Sequence, residues 1–104
     1  MGARIHRVAE ARIHEIWDYT ERNWGVRQAD KYVRELVRAI HLAGGKRRLW
    51  KPLPDEELEG IFYFRHGHHY VFFRELEPGE IGVISVLHES MDLPNRLRED
   101  NEGT

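Results

Sequence analysis

Apolar residues recur at three- and four-residue steps from the start of the chain. Over residues 8–24, Ala9, Ile13, Ile16, Trp17, Thr20 and Trp24 share one helical face, while Glu10, Arg12, Glu15, Asp18 and Arg22 point elsewhere. Gly25 supplies the stop, because glycine accepts the left-handed conformation that closes helices. A second face follows at once, formed by Ala29, Tyr32, Val33, Leu36, Ile40 and Ala43, and Gly44 and Gly45 end it. Two helices joined by so short a link lie antiparallel, as a helical hairpin.

Beyond the glycines the period changes. Pro52 and Pro54 exclude regular helix from the loop they stand in. The stretch "GIFYFRHGHHYVFFREL" is rich in aromatic and β-branched residues and reads as two strands around a tight turn at His66 and Gly67. Pro78 followed by Gly79 suits a type II turn. The next stretch, "IGVISVLH", is apolar on both faces, so it is expected inside a sheet, with helices on one side and loop or tail on the other. The end, "MDLPNRLREDNEGT", is polar. Pro94 works against a long helix at its start, residues 95–99 allow a single turn, and the last residues are expected to be disordered.

These elements predict an α+β fold: an N-terminal antiparallel helical hairpin packed on a small antiparallel sheet of three strands, with residues 3–7 as a fourth strand at its edge. Residues 1–97 form one domain in this reading and 98–104 a disordered tail. A length of 104 residues agrees with a single domain.

Composition narrows the setting. The charged fraction of 33% beside 40% hydrophobic residues fits a small folded domain, not a disordered chain. Without cysteine there is no disulfide framework and no thiolate metal site. No apolar run approaches the ~20 residues that cross a bilayer, and the first residues interleave charge with apolar side chains, unlike a secretion signal. A cytoplasmic protein with no membrane contact is the expectation. The formal charge of −2 argues against a general nucleic-acid binder, and no direct, specific nucleic-acid binding is expected.

Charge is nevertheless clustered. "KRRLWK" gathers Lys46, Arg47, Arg48 and Lys51, and Asp55, Glu56, Glu57 and Glu59 follow closely. Such neighbours are most often a solvated loop. Trp50 stands there outside any periodic face. It suits a partner anchor beside Arg48 and Lys51, or a side chain folded back over the sheet, and both readings stay open.

Candidate chemistry centres on histidine and arginine. His88, in "VLHESMD", closes the apolar strand as a structural residue, bonded to backbone or to a carboxylate such as Asp92, or as a catalytic one. Cleavage of RNA needs a base, an acid and stabilisation of charge in one cleft. Arg65, Arg74 and His88, with Glu57 or another histidine, offer those groups, although spacing does not compel them to converge. His66, His68 and His69 crowd one turn, and neutral imidazoles bind zinc. No cysteine or well-placed carboxylate completes a site, so neither metal nor cofactor is expected.

Several pieces in order carry a resemblance. They are Trp24-Gly25 with Gln28-Ala29, the strand His69-Tyr70-Val71-Phe72-Phe73-Arg74, and Val86-Leu87-His88 with Met91-Asp92. Over residues 5–97 the chain resembles the ParE branch of the ParE/RelE superfamily, the toxins of bacterial type II toxin–antitoxin systems linked to plasmid stabilisation. Residues 44–60 depart from the short loop usual there. The resemblance implies a hairpin-on-sheet fold, a cognate antitoxin that wraps the toxin, and DNA gyrase as the target, poisoned by binding and without an RNA-cleaving site. Arg47, Arg48 and Trp50 in the loop, with Arg96 and Leu97 in the tail, are then the candidate partner-binding residues. A RelE-type ribosome-dependent endoribonuclease is the alternative, weakened by the lack of any Tyr after Tyr70, and a non-toxic binding member is another. The discriminating question is whether Arg65, Arg74 and His88 line one open cleft.

Overall fold

In the computed structural model, which describes residues 2–104, helices α1 (Arg7–Trp24) and α2 (Val26–Ala43) are separated by Gly25 alone. They pack as the expected hairpin. Ala9, Ile13, Ile16 and Thr20 of α1 and Ala29, Leu36, Ile40 and Ala43 of α2 are buried, which is the periodic face in each. Trp24 falls on that face by spacing but stands 66% exposed at the hairpin tip, where the sheet no longer reaches it.

The sheet has five strands: β1 (Gly2–Ile5), β2 (Lys51–Pro52), β3 (Phe62–His66), β4 (His69–Glu77) and β5 (Glu80–His88), in the order β1-β5-β4-β3-β2. The sheet expected from sequence was smaller and wholly antiparallel. Instead β1 pairs parallel with β5, a geometry that needs a long crossover connection, and the helical hairpin lies within that connection. The two residues of β2 are too few to show a period. The β3–β4 turn falls at Gly67 and His68, one residue later than read. Gly67 has φ +58° and, among the described residues, no non-glycine residue has positive φ, the type II′ signature that matches strand twist.

Helices cover one face of the sheet, where Ile13, Leu36, Ile40, Trp50, Phe73, Val83 and Val86 pack together. The other face buries Leu58, Ile61, Phe72, Ile84, Leu87 and Leu97. A bulge makes this possible, because Phe72 pairs with Ser85 but Phe73 with Val83, leaving Ile84 over to turn towards the second face. Gly44, read as a helix stop, has ordinary helical φ and ψ. A Cβ there would collide with the Gly79 carbonyl, so the position needs space, not unusual torsions.

The polar C-terminal stretch is not a disordered tail from residue 98. It forms α3 (Leu93–Glu102). Pro94 sits in the first turn, where its missing N–H has no partner to lose. Tertiary bonds hold the rest. Leu97 is 2% exposed in the second cluster. One turn later, buried Asp100 accepts from Arg12 Nε at 2.8 Å and Nη2 at 3.0 Å, and from Ser85 Oγ at 2.6 Å. Arg98 binds Asp55 at 2.6 Å and Glu57 at 3.0 Å, tying the acidic loop to α3.

Removing one member of a buried charge pair leaves the other uncompensated. Arg12→Ala is expected to lower stability by about 3 kcal/mol, with hydrogen-exchange protection of α3 lost first. Glu15→Ala, at an exposed contact of the same arginine, should change stability by under ~0.5 kcal/mol. Urea unfolding of both variants checks this, and equal effects would contradict it.

Candidate functional site

The β3–β4 turn and the end of β5 bring four histidines together. His69 pairs in register with His88, their rings meeting edge to face at 5.1 Å. Tyr32 of α2 places its hydroxyl 2.6 Å from His69 Nδ1 and its ring against His66. His68 turns outward to Glu89 at 2.8 Å. Among the described residues no three His, Asp or Glu side chains gather in a metal-binding geometry. Burial, helped by the neighbouring His88, His68 and His66, pushes the His69 pKa down to about 4. Glu89 lies below the usual carboxylate range, chiefly through its bond to His68, with Arg65 adding to it.

His88 accepts at Nδ1 from the Ser90 backbone N–H at 3.0 Å, with Ser90 Oγ at 2.7 Å. Its carbonyl accepts from Met91 N. The ring thus closes the turn after β5, through Ser90 and not Asp92. Arg65 pairs with Glu89 at 2.8 Å, donates from Nε to the Gly67 carbonyl at 2.8 Å and lies over the Tyr70 ring. Paired residues share a face, so Arg65, opposite Tyr70, stands on the α3 side, and His88, opposite His69, on the helical side. Arg74 is four positions beyond Tyr70 along β4, roughly 13 Å away, and donates to Asn101 at 3.2 Å. Glu57 is held by Arg98. These groups do not line one cleft.

The expected partner-binding residues also divide. Trp50 is core: it is 9% exposed, donates from Nε1 to the Ala43 carbonyl at 2.8 Å and packs on Phe62 and Phe73. Leu97 is buried too, in the second cluster. Arg47 lies over the Trp50 ring and bonds Glu75 at 2.8 Å, its side chain still largely exposed. Arg48 and Arg96 are exposed.

Several surfaces remain open. Tyr19 and Trp24 of α1 meet edge to face, 54% and 66% exposed, next to a cleft of about 220 Å³ that Ile16, Val86, His88 and Met91 help to line. On the far face a cleft of about 430 Å³ lies between Leu53, Leu58, Tyr63, Tyr70, Leu93 and Leu97. Finally, β2 pairs only with Phe62 and Tyr63, so residues 64–66 of β3 have no strand beyond them among the described residues.

Residues 3–93 match the family model described as ParE toxin of type II toxin–antitoxin system, parDE. The chain belongs to the ParE toxin family. It is 40% identical over 89 residues to Toxin ParE1 of Mycobacterium tuberculosis, covering 86% of this chain and 90% of the relative. Toxin ParE of Escherichia coli is 36% identical over 98 residues, 91% of each chain. Among solved structures, the chromosomal ParDE system of P. aeruginosa superposes with TM-score 0.68 at 20% identity, over 85% of this chain and 95% of that one. The RelBE2 toxin–antitoxin complex of Mycobacterium tuberculosis gives 0.63 at 21%, over 84% and 88%.

The ParE model match ends where α3 begins, so Leu97 and Asp100 lie beyond it. Nothing local in the sequence pairs Asp100 with Arg12, 88 positions away. The exposed Tyr19 carried a signal that periodicity gives: it falls off the buried face of α1 and is aromatic.

His69 also sets a pH dependence in this ParE domain. The folded ring stays neutral to about pH 4, whereas the ordinary value is 6.5. On acidification the unfolded chain binds the proton first, so this contribution is complete above about pH 6.5 and is lost progressively down to about pH 4. Urea midpoints across that window should fall with pH in the native chain and fall less in His69→Gln. An unchanged slope in the variant would contradict the assignment.

Proposed function

We propose that this ParE-family toxin is held inactive by a cognate antitoxin and, once free, stops growth by binding DNA gyrase without chemistry of its own. The observation that carries the binding reading is the separation of Arg65, Arg74 and His88. Each is engaged in a local bond, and two lie on opposite faces of the sheet. A transesterifying centre needs its groups around one phosphate.

Two features support the antitoxin. The Tyr19–Trp24 patch is aromatic, exposed and edged by the Ile16–Met91 cleft, the composition of an interface anchor. The free edge of β3 offers unpaired backbone groups to an added strand. The solved neighbours in the RelBE2 and ParDE systems are toxin–antitoxin assemblies by description. An antitoxin segment that folds as it binds would cover both surfaces at an entropic cost.

Purified chain is tested in a gyrase supercoiling reaction beside ribosomal translation. Supercoiling should be lost with translation intact, and His88→Ala or Arg65→Ala should inhibit within about twofold of the native chain. Messenger RNA cut in the translation reaction, and spared by those variants, would replace this reading with the endoribonuclease. For the antitoxin, Trp24→Ala should weaken binding about 30-fold, as loss of a central aromatic anchor does. Calorimetry with the co-encoded partner measures it, and an unchanged affinity would remove the patch from the interface.

A further inference from the structure

Helix α2 breaks charge rules that α1 keeps. In α1, Glu10 stands in the first turn and Arg22 in the last, each favourable to the helix dipole. In α2 no acid stands in the first turn, and Arg27 is there instead. Arg27, Lys31, Arg34 and Arg38 follow at steps of four, three and four, which puts them in one line. That line is opposite Ala29, Leu36, Ile40 and Ala43, and all four cations are exposed. Like charges at such spacing destabilise a helix. Among the described residues none of the four is in an ion pair. On the same helix, Asp30 accepts from Trp17 Nε1 at 2.9 Å, and Glu35 makes no ion pair with the row.

The rest of the molecule does not cancel this row. The acidic run flanks Leu58, which packs on the second face of the sheet, whereas α2 packs on the first. Two of its carboxylates are held by Arg98. The acidic run and the α2 row therefore lie on opposite sides of the sheet.

We propose that the α2 row binds the phosphate backbone of duplex DNA without reading sequence. A row of about 16 Å of cations with no large apolar side chain on its line fits phosphates, which are held by cations alone. A protein partner would need an apolar or aromatic anchor there. DNA is favoured over RNA because its major groove is wide enough to admit a helix, whereas the RNA groove is narrow. The inference does not depend on gyrase being the target.

Fluorescence anisotropy of a short labelled DNA duplex, titrated with the whole chain over a salt series, tests it. Four released counterions give a slope of log K against log salt of about −3.6, the same for a second duplex of unrelated sequence. The double variant Arg27→Glu with Arg34→Glu should lose at least about tenfold in affinity with a shallower slope. Arg4→Glu with Arg7→Glu changes the net charge equally and should lose less than about twofold; Arg27→Lys with Arg34→Lys should retain binding. Equal loss in the two Glu doubles, a flat salt dependence, or tighter binding of an RNA duplex or a poly-glutamate peptide would each overturn the proposal.

Discussion

Strand β5 is buried along its whole apolar run, residues 81–87, and so requires cover on both faces. That constraint organises the molecule. The helical hairpin covers one face through Ile13, Leu36 and Ile40. The other face would expose Ile84 and Leu87 if α3 did not lie over it. The Asp100 carboxylate fixes the second cover to the first by joining Arg12 of α1 to Ser85 of β5. The three elements are therefore mutually dependent, although they are far apart along the chain.

The same arrangement ties the candidate titratable side chains to separate local partners. His88 closes a turn, Arg74 bonds α3, and Arg65 and His68 share the Glu89 carboxylate. Facing solvent are the aromatic Tyr19–Trp24 tip, the free β3 edge and the cationic α2 row. Surfaces of that kind suit recognition. The proposed binding mode needs no more, and a partner that covered the same surfaces would block it.

Local periodicity made much of the fold legible. Both helices have a clean three- and four-residue repeat, β3 and β4 frame a glycine turn, and β5 reads as interior because its residues are apolar on both faces. The ParE pieces were legible for the same reason, since they lie within these regular elements. Long-range partners were not. Nothing near Asp100 announces Arg12, so α3 read as a polar tail. Trp50 reaches the Ala43 carbonyl from a loop without a period, and Leu97 is one apolar residue among charges. The parallel pairing of β1 needs knowledge of where β5 ends up. Most of these depend on contacts between distant segments, which spacing cannot encode.

Binding and chemistry differ most directly in stoichiometry. We would titrate the chain into a fixed amount of gyrase, follow residual supercoiling over time, and then add antitoxin. A binding poison reaches full inhibition only near equimolar toxin, at a level that does not deepen with time, and the antitoxin restores activity. Complete loss at a small fraction of an equivalent, deepening with time and persisting after antitoxin is added, would show catalytic turnover and contradict the account.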